Sequence, residues 1–159
     1  MSFPYLDKDD FLEALFEEDG IGDQAWRRHL SLKADQHFRH AARELDAAVL
    51  VSHWQPMGVT HTGTPTPWLT DHFASVIEIY CECAPHIAAH RFVTRQRHAG
   101  HLDGERSDDE VLEWLERLAA HYPIHAGPVV RVSTEGDVSA ADLAAMIKAR
   151  YPQTRSSRA

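Results

Sequence analysis

The sequence is poor in cysteine and lysine and contains no long apolar run. Its only two cysteines, Cys81 and Cys83, lie two residues apart in a predicted strand, and we expect reduced thiols and a cytoplasmic setting. No stretch approaches the roughly 18 apolar residues of a membrane span, so we expect no membrane association. The net charge of −8 argues against general nucleic-acid binding, which depends on neutralising phosphates.

Basic side chains are mostly arginine, because only three of the 16 Lys and Arg residues are lysine. A guanidinium is a planar fork that holds phosphate oxygens two at a time. An arginine bias also follows from genome composition, so by itself it assigns no ligand.

Several familiar metal-binding and catalytic patterns are missing. His86 and His90 lie four residues apart on a predicted helix, but structural zinc needs four ligands and catalytic zinc three. The sequence contains no Cys-x-x-Cys, no His-Glu-x-x-His and no Gly-x-Ser-x-Gly, which would present a nucleophilic serine. We therefore predict no metal site and no serine hydrolase.

Short apolar strands alternate with amphipathic helices along the chain. Asp10 and Ser107 each have a glutamate three residues on, the spacing of a capping box, and Ser139 suits the start of the last helix. The continuous apolar run 47–54 predicts a strand buried on both faces. The other predicted strands are 3–6, 75–82 and 128–133, and the main predicted helices are about 10–19, 23–46, 85–97, 107–118 and 139–150.

This order predicts one α/β domain over residues 1–150, followed by a flexible tail over 151–159. The domain is expected to be a three-layer α/β/α sandwich with a mostly parallel sheet and right-handed crossovers. Ligands of such sheets bind beyond the carboxyl ends of the strands. Candidate site residues therefore follow the strands.

Four stretches, taken together in order and spacing, resemble the P-loop small kinases. They are LDKDDFLEALF (6–16), similar to that family's second strand and acidic site; AAVLVSHWQP (47–56), similar to its third strand; VIEIYCECAPHIAAHRFVTRQRHAGHLD (76–103), similar to its fourth strand, lid helix and lid; and GPVVRVSTEGDVSAADLAAMI (127–147), similar to its last strand and helix. The family includes polynucleotide kinase, zeta toxin and chloramphenicol phosphotransferase, and the chain most resembles the AAA family ATPase or predicted-kinase branch. The resemblance implies a P-loop kinase-like fold, ATP and Mg²⁺ as cofactors, and a small-molecule or nucleotide substrate.

The defining phosphate loop of that family, G-x-x-x-x-G-K-[ST], has no match, because no Gly-Lys pair occurs in the chain. In the family this loop precedes the acidic site, whereas here eight residues precede Asp9. The resemblance therefore implies that a strand, a phosphate loop and a helix, on the order of 25 residues, are missing. The family's first strand lies inside the sheet, so either its two neighbouring strands close up here or this chain is not the whole functional unit. We expect unpaired strand edges and poor stability.

Asp9 is the main catalytic candidate. In phosphoryl transfer to a hydroxyl, a carboxylate beside the acceptor takes its proton, and the resemblance implies this role for Asp9. Asp10 is a candidate for substrate binding, although both carboxylates would equally cap a helix and complement its dipole. Relatives often carry a basic residue at the position of Leu12, and this departure weakens the acceptor side.

The remaining candidates are assigned mostly by resemblance. Arg91, Arg95 and Arg97 match lid arginines that close over the transferred phosphoryl group, although a solvated helix face explains them too. His53 and Trp54 end a strand where relatives carry an acidic residue or Asn. Trp54 would either stack on a substrate ring or pack in the core. We group His53 and Trp54 as candidates for substrate binding. Thr134 and Asp137 are candidates for the adenine side of the cofactor site, or else form a plain turn.

Two functional hypotheses follow from the sequence. The first is an ATP-dependent phosphotransferase whose acceptor and lid portions are present and whose phosphate loop is absent from the given chain. The second is a degenerate kinase-like module that binds a ligand or protein without catalysis. The missing loop, Leu12 and the His53-Trp54 pair favour the second hypothesis.

Overall fold

The computed structural model describes residues 3–56, 59 and 63–151, with Glu105 described by its backbone alone. Residues 152–159 of the predicted tail and most of the loop 57–62 lie outside the described residues. The elements in chain order are β1 (Tyr5–Asp7), α1 (Lys8–Asp19), α2 (Gln24–Arg43), β2 (Val49–Val51), α3 (Pro67–His72), β3 (Glu78–Glu82), α4 (Pro85–Thr94), two 3₁₀ turns (Ala99–His101 and Asp103–Glu105), α5 (Asp108–Ala119), β4 (Val129–Ser133) and α6 (Ala140–Arg150). The mixed α/β class predicted from the sequence is confirmed.

Helix α1 begins earlier than the sequence pattern predicts. Asp7 is the N-cap, because its extended backbone ends β1 and its carboxylate accepts the N–H of Asp9 at 3.0 Å. The predicted cap at Asp10 is therefore wrong, and Asp10 lies exposed in the first turn of α1. The strand runs straight into the helix and leaves no room for a separate capping residue.

Other helix starts agree with the sequence. Ser107 and Glu110 form the predicted capping box, in which each side chain binds the other residue's backbone. The Ser139 hydroxyl accepts the N–H of Asp142 at the start of α6. Asp23 caps α2 in the same way through the N–H of Trp26 at 2.9 Å.

The strands form two separate parallel pairs within the part of the chain that the structure describes. In one pair Tyr5 of β1 lies opposite Val49 of β2, and in the other Glu78 of β3 lies opposite Val129 of β4. These residues therefore do not form the single continuous sheet that the sequence predicts. Tyr122 bridges the two pairs, since its hydroxyl donates to the Trp54 carbonyl at 2.6 Å and its ring stacks on Tyr80 at 6.2 Å.

Strands β2 and β3 are less buried than their sequence predicts. Val49 and Val51 of β2 are 41% and 39% exposed, so the prediction of a strand buried on both faces is wrong. Ile79 of β3 is 38% exposed. Neither strand has a partner on its second edge among the described residues.

The core is concentrated around helices α1 and α2. One buried cluster joins the two helices and contains Leu12, Leu15, Phe16, Leu30 and Ala34. A second cluster is centred on Phe38, whose ring packs against those of Phe11, Trp54 and Trp68. Helix α6 contributes no buried residue, and Met146 on it is exposed. The packing therefore holds one side of the molecule firmly and leaves α6 without a covering layer.

Candidate active site

A cavity of about 650 Å³ lies at the carboxyl ends of all four strands. Asp7 ends β1, Ser52 follows β2, Cys83 follows β3 and Thr134 follows β4, and all four residues line the cavity. This is the position predicted for a ligand from the strand order. The cavity also extends between the two strand pairs, because it receives residues from both.

Asp9 faces this cavity from the first turn of α1. Its carboxylate forms an ion pair with Arg97, and its side chain is 49% exposed. Arg97 also donates to Asp103 at 3.1 Å, and Arg95 donates to the same carboxylate oxygen at 3.0 Å. The structure therefore brings the predicted base and two predicted lid arginines into one charged chain, Asp9–Arg97–Asp103–Arg95.

The segment that carries these arginines, residues 95–106 and named here the lid segment, is fastened to α1. The His101 and His98 rings contact the carboxylates of Glu13 and Glu17 at 2.9 and 2.8 Å. Phe16 stacks on His98 at 5.2 Å between ring centroids. Asp9, Glu13 and Glu17 are four residues apart, so they form one acidic stripe on α1 that faces the lid segment.

Histidine 101 is buried with only one of its ring nitrogens paired. The residue is 3% exposed, Nε2 contacts Glu13, and Nδ1 has no hydrogen-bond partner among the described residues. Burial lowers the pKa of His101, and the hydrogen bond to Glu13 opposes this shift without reversing it. The imidazole is therefore neutral at pH 7 and contacts Glu13 as a neutral ring.

Arg91 has a different environment from the other predicted lid arginines. It lines the cavity, but it donates to the Thr134 carbonyl at 2.6 Å and to the Glu135 carbonyl at 3.0 Å. Glu135 in turn accepts the N–H of Ala84 at 3.0 Å, and Thr134 donates to the Glu82 carbonyl at 2.9 Å. These bonds tie the turn after β4 to α4, so Arg91 and Thr134 fix the cavity wall.

Lys8 lines the cavity and anchors the start of α1 to α2. Its ammonium group contacts Asp35 at 2.8 Å and Ser31 at 3.0 Å, both on α2. Asp35 also accepts from the buried Thr64 hydroxyl at 2.7 Å, which in turn contacts Ser52 at 2.6 Å. This network holds α1, α2 and the end of β2 together and thereby fixes the helix turn that carries Asp9.

His53 and Trp54 point in different directions. His53 lines the cavity and contacts the rings of Trp114 and Tyr122, with centroids 5.7 and 6.3 Å away. Desolvation, with the nearby charge of Lys8, lowers the pKa of the His53 imidazole. Trp54 packs instead in the core around Phe38, so its placement supports the packing interpretation and not substrate stacking.

Two other predicted site residues lie away from the cavity. Asp10 and Asp137 are exposed, and neither lines it. Asp10 points away because α1 presents Lys8, Asp9 and Leu12 to the site. Their proposed roles in substrate and cofactor binding therefore have no geometric support in the described residues.

Two cavity arginines were not selected from the sequence. Arg27 lines the cavity from α2, and Arg106 lines it from the end of the lid segment, 5.5 Å above the Trp114 ring. The general excess of arginine over lysine was the only signal for them. Their proximity depends on how α2 packs against the lid segment, which no local pattern specifies.

The parallel strands, the intervening helices and the cavity at the strand ends define a kinase-like α/β fold. The crystal structure of a candidate kinase from Chloroflexus aurantiacus J-10-fl matches with a TM-score of 0.73 at 19% identity, over 92% of this chain and 83% of that chain. At this identity the likeness shows the fold alone. No protein-family model and no curated protein matches the chain.

Membrane and metal features were also sought in the part of the chain that the structure describes. No helix there has the length and apolar character to cross a bilayer. No group of three or more His, Cys, Asp or Glu side chains in those residues is arranged to hold a metal ion.

Proposed function

We propose that the chain carries the acceptor and lid portions of an ATP-dependent phosphotransferase that acts on a hydroxyl of a small molecule or nucleotide. The observation that carries the proposal is the meeting of Asp9 with Arg95 and Arg97 in a cavity at the strand ends of a kinase-like fold. A carboxylate beside flexible cations is the arrangement that this reaction needs.

In this proposal Asp9 accepts the proton of the acceptor hydroxyl and orients its oxygen for attack. Its half-exposed carboxylate is reachable from the cavity. Arg97 holds that carboxylate in place and, with Arg95, offers positive charge to the equatorial oxygens of the transferred phosphoryl group. Both guanidiniums are already oriented by Asp103, which reduces the ordering needed at the moment of reaction.

The residues fit the phosphates of a nucleotide better than they fit a metal ion. The cavity volume lies within the roughly 300–1,000 Å³ of small-molecule sites, and five arginines line it. ATP, when bound, supplies the phosphoryl group. No metal-ligand cluster occurs among the described residues, so we assign none of them to Mg²⁺ and derive no step through it.

We further propose that the phosphates are cradled by a strand–loop–helix unit that lies outside the described residues, between β2 and β3. Three observations support this position. β2 and β3 each have an unpaired edge in the described structure, as β1 and β4 also do; the apolar residues Val49, Val51 and Ile79 of β2 and β3 are partly exposed; and α6 has no buried residue. The resemblance to P-loop kinases, whose first strand lies inside the sheet, favours the edges of β2 and β3. One strand followed by one helix would complete all of these surfaces.

Replacement of Asp9 tests the proposed base. With such a strand–loop–helix unit fused ahead of Met1, we expect phosphoryl transfer from γ-labelled ATP to one of a panel of hydroxyl compounds. Asp9→Asn should then lower the turnover number about 10²- to 10⁴-fold, because the amide accepts no proton. Glu18→Gln is the matched control, since it removes one exposed negative charge from the same helix away from the cavity. Equal turnover in Asp9→Asn and wild type would refute the assignment.

A non-catalytic kinase-like module is the second candidate. The observation in its favour is that the Asp9 carboxylate is already engaged by Arg97, and that Leu12 is buried in the core where a basic acceptor-side residue was expected. Such a module would bind an anionic ligand or a protein without turnover. Release of inorganic phosphate from ATP by the chain alone, absent in Asp9→Asn, would contradict this candidate.

A further inference from the structure

The cavity carries more positive charge than the proposed base and lid require. Its lining cations are Lys8, Arg27, Arg91, Arg95, Arg97 and Arg106, and its lining carboxylates are Asp7, Asp9 and Asp103. Lys8 is neutralised by Asp35, and Arg91 is bonded to the turn after β4. Apart from Lys8, five arginines and three carboxylates line the cavity, so the lining carries two more positive charges than negative ones.

Arg27 is the least satisfied member of this group. Its Nε is buried and has no hydrogen-bond partner among the described residues. Burial lowers the pKa of the guanidinium, and the like charges of Arg97 and Arg106 act in the same direction, while Asp103 and Asp9 oppose it. A buried donor without an acceptor costs stability, so a ligand that supplies acceptor oxygens there binds favourably.

The geometry also separates Arg27 and Arg106 from the residues assigned to the reaction itself. Gln24, Arg27 and Ser31 line the cavity from one face of α2, whereas Asp9 lines it from α1. Arg106 approaches from the far end of the lid segment, where its guanidinium lies over Trp114. An acceptor held with one hydroxyl at Asp9 therefore extends another group toward Arg27 and Arg106.

We propose that Arg27 and Arg106 bind a phosphate monoester that the acceptor already carries. The substrate class is then a hydroxyl compound bearing a terminal phosphate, and this inference rests on the proposed phosphotransferase function. A phosphate monoester carries a charge of about −1.5 to −2 at pH 7 and three strong acceptor oxygens, which match the two excess positive charges of the lining. A neutral alcohol offers no charge to this lining and fewer acceptor oxygens to the Arg27 Nε, which has no hydrogen-bond partner among the described residues.

Calorimetric titration of the chain with glycerol 3-phosphate and with glycerol, at fixed ionic strength and pH 7.5, tests the inference. We expect the phosphate monoester to bind and glycerol not to bind. Arg27→Gln and Arg106→Gln should each weaken glycerol 3-phosphate binding about 10- to 100-fold, the loss of a hydrogen bond to a charged group. Arg39→Gln is the control, because Arg39 is exposed on α2 and is not among the cavity-lining residues. It should change the affinity by less than about twofold.

Stability measurements separate a binding role from a structural one. Since the Arg27 Nε has no described partner and its neighbours include like charges, Arg27→Gln should retain the wild-type urea midpoint while binding is lost. Equal binding of glycerol and its phosphate, or equal effects of Arg27→Gln and Arg39→Gln, would overturn the inference. Binding through Arg27 without phosphoryl transfer would support the phosphate-binding site and refute the proposed phosphotransferase function. Phosphoryl transfer to neutral acceptors that Arg27→Gln does not affect would support the function and refute the phosphate-binding site.

Discussion

The single residue that most clearly links structure to solution behaviour is His101. This residue of the lid segment contacts Phe16 and Glu13 of α1 through its ring, and one ring nitrogen has no hydrogen-bond partner among the described residues. Protonation would place a second N–H donor at that unpaired position, in a site that burial already makes unfavourable for charge. The groups whose charges act on it are Glu13, Asp9, Arg97 and Asp103. The neutral ring is therefore part of the folded state.

This neutrality predicts a loss of stability in acid. The pKa of His101 is lowered in the folded chain, so below its ordinary value of 6.5 the unfolded chain takes up the proton first. The free energy of unfolding should then fall as the pH drops below 6.5, by at most about 1.4 kcal/mol per pH unit for this one proton. Urea titrations between pH 5 and 7.5 would measure this slope.

The control for that prediction is a histidine exposed to solvent. His40 is exposed near the end of α2, so His40→Asn should leave the acid slope unchanged. His101→Asn should reduce the slope between pH 6.5 and 5, whatever its effect on the stability at pH 7.5. Identical slopes in the two variants would show that His101 does not set the acid response.

At the scale of elements, the lid segment packs against the acidic stripe of α1 beside the cavity. Three side chains of the lid segment meet the acidic stripe Asp9, Glu13 and Glu17 of α1. Gly100 permits this close approach, because a Cβ at that position would lie 2.5 Å from the Phe16 ring. A substrate bound at Asp9 would lie beside this contact, so we expect the lid segment to move relative to α1 during binding.

Removal of two of these acidic side chains should loosen the lid segment. Glu13→Gln combined with Glu17→Gln removes the carboxylate charge from the contacts with His101 and His98, so amide exchange at residues 98–102 should become roughly twofold to tenfold faster, a loss of about 0.4–1.4 kcal/mol. Hydrogen–deuterium exchange read by mass spectrometry would detect this change. Glu18→Gln alters the same helix away from the lid segment and should leave the exchange rates as they are. Unchanged exchange in the double variant would mean that ring packing on Phe16 alone keeps the segment closed.

The sequence predicted these elements better than their assembly. The capping box at Ser107 and the cap at Ser139 depend on residues three positions apart, so local pattern was sufficient. Asp9 and Arg97 were both selected, but their ion pair joins residues 88 positions apart in the chain and could be expected only through the family resemblance. Arg27 was missed because its place in the cavity depends on the packing of α2 against the lid segment. The division of the strands into two pairs was also missed, because strand pairing joins residues far apart in the chain and no local pattern specifies it.

At the scale of the whole molecule, the division of the strands into two separate pairs limits the stability. Two-stranded sheets are marginal in water, and parallel sheets are normally covered on both faces. Here the apolar residues of β2 and β3 are partly exposed, and Tyr122 is a narrow bridge between the pairs. The hydroxyl of Tyr122 stays protonated throughout the physiological range, because burial, with Tyr80 and Glu78 nearby, raises its pKa to about 12.

This arrangement predicts low stability for the chain alone. Its free energy of unfolding should fall below the roughly 5–15 kcal/mol of ordinary domains, since the unpaired edges and the uncovered α6 remove a share of the usual burial. Urea unfolding followed by both circular dichroism and tryptophan fluorescence would measure it. Fusion of a strand–loop–helix unit ahead of Met1 should raise the stability, and a shuffled segment of the same composition is the control. Cooperative unfolding of the unfused chain with a stability within the ordinary range would refute the idea that a strand is missing between β2 and β3.

The intact mass and N-terminal sequence of the protein from its native cells would locate the source of that strand. A further segment of on the order of 25 residues with a Gly-rich Lys-Ser/Thr loop would place it in the same polypeptide. A native chain that starts at Met1 would instead require a partner to supply it, and would make catalysis by this chain alone untenable.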